Sequence, residues 1–96
     1  MNLREKIRLN REEILKLSMQ YGAREIQLIG SVARGGDTPQ SDIDFLVDFE
    51  PGRSLLDHAQ LMIALEQLLQ CKVEIASKKG LKTEYRDKIL REAIPL

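Results

Sequence analysis

The chain has 96 residues, 43% hydrophobic and 31% charged, with 15 basic and 15 acidic side chains, a globular composition that sets intrinsic disorder aside. No apolar run approaches the roughly 20 residues that span a bilayer, and "MNLREKIRLNREE" lacks the apolar centre of a secretory signal, so a single cytoplasmic domain over 1–96 is expected. Basic and acidic residues number 7 and 4 over 1–36, 1 and 7 over 37–66, and 7 and 4 over 67–96; such an acidic middle argues against a nucleic-acid-binding stripe and suits a cation held centrally, with basic groups in reach of an anion.

In chain order, Leu3, Ile7, Ile14, Leu17 and Tyr21 share one stripe at helical spacing and Gly22 is a stop signal, which predicts one helix over the first 21 residues. "REIQLIG" reads as a short strand that turns at Gly30 and Ser31. "VAR" can form one helical turn ending at Gly35, and "GGDTPQ" is rich enough in turn formers to be a loop. "DIDFLVDF" follows as the second strand, with Ile43, Phe45, Val47 and Phe49 on one face and Asp42, Asp44, Leu46 and Asp48 on the other. Ser54 and Asp57 form an N-terminal capping pattern for "LLDHAQLMIALEQLLQ", whose expected core stripe is Leu55, Ala59, Met62, Leu65 and Leu69. "KVEIA" is a third strand, "SKKG" a turn, and "TEYRDKILREAI" a last helix ended by Pro95. The fold class is therefore α/β or α+β, a small mixed β-sheet with helices packed on it, in the order α-β-(short α)-β-α-β-α.

Outside this framework, the lone Cys71 reads as a buried thiol and the solitary His58 as a helix-surface or core-edge residue, neither as a metal ligand. Asp37 reads as a turn cap, and Asp48 as an exposed carboxylate one step beyond the pair. The apolar helix around Met62 serves an interface as readily as a core, which leaves a homo-oligomer open.

Asp42 and Asp44 carry the chemistry. Side chains at i and i+2 of a strand lie on one face about 7 Å apart, so two carboxylates there repel unless a cation sits between them. Mg²⁺ suits that role, because it takes a few carboxylate oxygens and completes its shell with water and substrate phosphates. Gly30 allows a phosphate close to the backbone and Ser31 adds a hydroxyl. Ser31 and Asp42 are 11 positions apart, and a short loop between them keeps the two strands neighbours.

Taken together, "GSVARGGDTPQSDIDFLV" resembles the signature of the nucleotidyltransferase superfamily that includes DNA polymerase beta, and of its small members, the MntA-like antitoxins paired with HEPN toxins. The resemblance implies a polymerase-beta-like nucleotidyltransferase fold and nucleotide contacts from Gly30, Ser31, Arg34 and Ser41. It also implies metal binding by Asp42 and Asp44, with Glu74 in "KVEIA" standing where the family has a third aspartate and completing a catalytic and metal-binding set with them. Arg34 either touches phosphate or braces the turn against a carboxylate, and Glu74 is either the third catalytic group or a strand-edge residue. The implied reaction is magnesium-dependent transfer of AMP from ATP, with two Mg²⁺ ions, to a hydroxyl of a HEPN-type toxin that brings its own structure. The alternatives are an antitoxin acting by contact alone and a Mg²⁺-dependent phosphohydrolase.

Overall fold

A computed structural model describes residues 2–38 and 40–96, so Met1 and, within the expected "GGDTPQ" loop, Pro39 lie outside the described residues. The elements are α1 (Leu3–Leu9), α2 (Arg11–Gln20), β1 (Ala23–Ile29), α3 (Gly30–Arg34), β2 (Ile43–Phe49), α4 (Leu55–Leu69), β3 (Val73–Ser77), a 3-10 turn (Lys78–Gly80), α5 (Thr83–Glu92) and β4 (Ile94–Pro95). The sheet runs β3-β2-β1-β4. β1 is antiparallel to both β2 and β4, whereas β2 and β3 are parallel, with α4 as their crossover.

The core follows from period-two alternation in the strands meeting apolar helix faces. Ile26 and Leu28 of β1, Ile43, Phe45 and Val47 of β2, and Val73 of β3 pack against Leu3, Ile7 and Ile14 of the first helices and Leu61, Leu65 and Leu69 of α4. Ser18 is buried among them, and its hydroxyl donates to the Ile14 carbonyl at 2.7 Å, so burial leaves no orphaned polar group. No helix among the described residues is long and apolar enough to cross a membrane.

Three expectations are corrected. The N-terminal helix is two helices: the chain breaks at Asn10, whose backbone leaves helical geometry and whose side-chain amide donates to the Lys6 carbonyl at 2.8 Å, a local bond that competes with the helix. The core stripe of α4 is rotated towards Leu61, Leu65 and Leu69, with Leu55 left 85% exposed, although the expected Ser54 and Asp57 capping box forms. Finally, α5 ends at Glu92, and Ile94–Pro95 pair with Leu28 and Gln27 as an edge strand, where the missing N–H of a proline costs no ladder bond.

Candidate active site

The site lies where the C-terminal end of β1 meets the N-terminal ends of β2 and β3. Antiparallel pairing sets Ile29 opposite Asp44, and parallel pairing sets Asp44 opposite Glu74, so the two carboxylates stand on adjacent strands of the face turned away from the main core. Two bonds hold the mouth of the site. The Ile43 N–H donates to the Lys72 carbonyl at 3.0 Å, and the Val73 N–H donates to the Glu66 carboxylate of α4 at 3.1 Å. Ile29, Asp44, Phe45, Glu74, Ile75 and Ala76 line a groove of about 110 Å³.

Gly30 is packed directly under Asp44. Its φ is +77°, and a Cβ placed there would overlap a carboxylate oxygen of Asp44 and come within 3.1 Å of that residue's Cβ and Cγ. Only glycine allows both this backbone conformation and this approach. The expected helical turn forms as α3 and closes at Gly35, whose N–H donates to the Val32 carbonyl at 3.2 Å while the Gly36 N–H donates to Ser31 at 3.0 Å. Buried Val32 anchors the turn, which places Ser31 one residue beyond the Gly30–Asp44 contact.

The electrostatics mark Asp44 as the crowded member. Burial first, then the charges of Glu74 and Asp42, push its carboxyl above the ordinary aspartate value, against a smaller opposing pull from Arg34. Burial likewise pushes the Cys71 thiol up; this thiol is only partly buried, but it packs against the core as expected. His58 sits at the core edge, stacked on Phe49 with ring centroids 5.6 Å apart.

Other candidates are engaged in ways the sequence left open or did not suggest. The Arg34 guanidinium pairs with Glu92 of α5 at 3.3 Å, the bracing geometry. The Ser41 hydroxyl accepts from the Thr38 N–H at 2.8 Å and ties down the loop. Asp48, expected to be exposed, is largely covered and pairs with Arg24 at 3.3 Å. Lys72 drew no notice in the sequence, yet its ammonium lies 4.0 Å from Asp42 and 3.7 Å from Glu74.

Among the described residues no three His, Cys, Asp or Glu side chains form a ready-made metal cage. The donor set is nonetheless one for a hard cation: carboxylate oxygens only, with Asp44 under like-charge pressure. Mg²⁺ suits such an incomplete shell, since it keeps waters and recruits substrate phosphates.

The model of the nucleotidyltransferase domain family matches residues 6–96. The chain belongs to that family. This nucleotidyltransferase is 40% identical over 79 residues to the protein adenylyltransferase MntA of Thermococcus cleftensis, covering 82% of this chain and 80% of that protein. A solved structure described as a minimal nucleotidyltransferase superposes with a TM-score of 0.90 at 51% identity, covering 100% of this chain and 97% of the other. A crystal structure of a toxin-antitoxin with AMP-PNP shares the fold of this nucleotidyltransferase, with a TM-score of 0.77 at 22% identity over 90% of this chain and 71% of that one. The expected enzyme class and mixed sheet are thus borne out.

Proposed function

We propose that the protein is a magnesium-dependent adenylyltransferase that moves AMP from ATP to a hydroxyl of a HEPN-type toxin and so acts as its antitoxin. The observation that carries the reading is the packing of the Gly30 backbone under Asp44, with Glu74 in register beside it. That arrangement sets the turn at Gly30 and Ser31 directly against the acidic ends of β2 and β3. The adenylyl group and the antitoxin role are supported by the MntA relative and by the fold shared with a toxin-antitoxin structure.

In this reading the acceptor hydroxyl oxygen attacks the α-phosphorus of ATP. The bond from that phosphorus to the bridging oxygen breaks, and pyrophosphate leaves with the electron pair. Gly30 and Ser31 hold the phosphates, Asp42 and Asp44 are the metal ligands, and Glu74 completes the metal set and takes the hydroxyl proton. Two magnesium ions, when bound, neutralise charge on the attacking and leaving oxygens. Arg34 supports the phosphate-binding turn through its pair with Glu92, and Ser41 ties down the loop that follows the turn through its contact with Thr38.

One observation favours a second reading, in which the antitoxin acts by contact alone: the Glu74 side chain is 57% exposed and paired with Lys72. Incubation with the purified toxin, Mg²⁺ and labelled ATP separates the two. Label on the toxin that is lost with Asp44→Ala supports transfer. Neutralisation without label, retained in Asp44→Ala, supports contact alone.

A further inference from the structure

Lys72 belongs to the geometry of the site but has no part in the chemistry above. It immediately precedes β3, and its carbonyl is pinned to the Ile43 N–H. Parallel pairing joins Ile43 to Val73 and Asp44 to Glu74. One step further back, the same register sets Lys72 across from Asp42. Because side chains two apart on a strand share a face, Lys72 and Glu74 stand on one strand beside Asp42 and Asp44 on the next. The four positions form a square of three carboxylates and one ammonium. The ammonium lies between the two more exposed carboxylates, 4.0 Å from Asp42 and 3.7 Å from Glu74.

We propose that Lys72 is a tethered counter-ion for Asp42 and Glu74, which a divalent cation must displace to reach those carboxylates. The proposal rests on the magnesium-dependent reading of the site and adds a positioning residue to it. Without metal, the charges of Asp42 and Glu74 press on Asp44, and the ammonium between Asp42 and Glu74 offsets part of that like-charge repulsion. A divalent ion at the same oxygens brings twice the charge without the cost of ordering a long side chain, and so replaces the ammonium, which swings out to solvent. Lys72 thus weakens metal binding while holding the acidic strand ends together in the metal-free protein.

The test is Mg²⁺ binding without nucleotide or toxin, followed by titration calorimetry and by the melting temperature as a function of Mg²⁺. An exposed ion pair of this length corresponds to an affinity change of roughly 1.5- to 5-fold. Lys72→Met, which keeps the aliphatic stem, is expected to bind Mg²⁺ tighter by about that factor and to melt below wild type in chelator, the gap closing as Mg²⁺ is added. Lys72→Arg should restore wild-type binding. Lys79→Met, which removes a charge beyond the far end of β3, should leave Mg²⁺ affinity unchanged. Unaltered or weaker Mg²⁺ binding in Lys72→Met, or equal tightening in Lys79→Met, overturns the proposal. Label transfer to the toxin is scored separately on the wild-type protein, so the transferase reading stands or falls independently.

Discussion

Gly30→Ala probes the contact on which the site is built, and Gly35→Ala provides its internal control. Both glycines have a φ near +78°, at +77° and +78°, so each alanine pays a left-handed backbone cost of about 1–2 kcal/mol, offset in part by the lower entropy of the unfolded alanine chain, about 0.4–1 kcal/mol. At Gly35 nothing lies within 4 Å of the added Cβ, and the net cost is on the order of 1 kcal/mol, or about 4–8 °C in melting temperature for a domain of this size. At Gly30 the Cβ meets the Asp44 carboxylate. Asp44 must leave its rotamer, which adds about 0.5–1.5 kcal/mol. Its oxygens are displaced by about 1 Å, a misplacement worth on the order of a hundredfold in rate. Melting followed by circular dichroism, with AMP transfer measured well below the lower melting temperature, gives both readouts. The expected result is a modest loss of stability in both variants, larger in Gly30→Ala, and a large loss of activity in Gly30→Ala only. Full activity in Gly30→Ala, with melting equal to Gly35→Ala, would refute the close packing of backbone and carboxylate.

Because the folded-state pKa of Asp44 is raised, its carboxyl favours the fold most when protonated; that contribution is complete below the ordinary value of 3.8 and is lost as pH rises through the raised one. Asp44→Asn should therefore melt above wild type at pH 7 in chelator and no higher at pH 3, while losing transfer activity; the check is melting temperature against pH. Phe45→Ala empties a fully buried position at the centre of β2 and should cost about 3–5 kcal/mol in urea denaturation, much of the total stability of a small domain. Ser54→Ala removes the acceptor for the Leu56 N–H at 3.2 Å and should cost about 1 kcal/mol with transfer activity unchanged, since the cap follows the far end of β2. Arg34→Ala and Glu92→Gln both break the 3.3 Å pair. If bracing is the role of Arg34 they should lose activity together, whereas a loss confined to Arg34→Ala would assign Arg34 to phosphate.

What the sequence reveals here is local order, and what it hides is decided by pairing. The alternation in "DIDFLVDF" identifies the two faces of β2, because a strand that buries Ile43, Phe45 and Val47 must turn Asp42 and Asp44 outward. The break at Asn10 is hidden, since the apolar spacing from Ile7 to Ile14 continues unchanged across it. The stripe of α4 is ambiguous for a different reason. Leu55, Leu56, Leu61, Met62, Ile63, Leu65, Leu68 and Leu69 leave apolar residues on most of the helix surface, so docking onto β3 and α2 selects the buried side. The two-residue β4 has no periodicity of its own and exists only through its bonds to β1. Lys72 illustrates the same division within the site. As a residue of "CKVEIA" it is one more charge beside a strand, and nothing local relates it to Asp42, which lies 30 positions earlier. Once β2 and β3 are parallel with Asp44 opposite Glu74, its place across from Asp42 follows from a count of two residues back along each strand. The register that assembles the carboxylates is thus the same register that delivers the cation between them, and shifting β3 by one residue against β2 would turn Glu74 and Lys72 away from the face that carries Asp42 and Asp44.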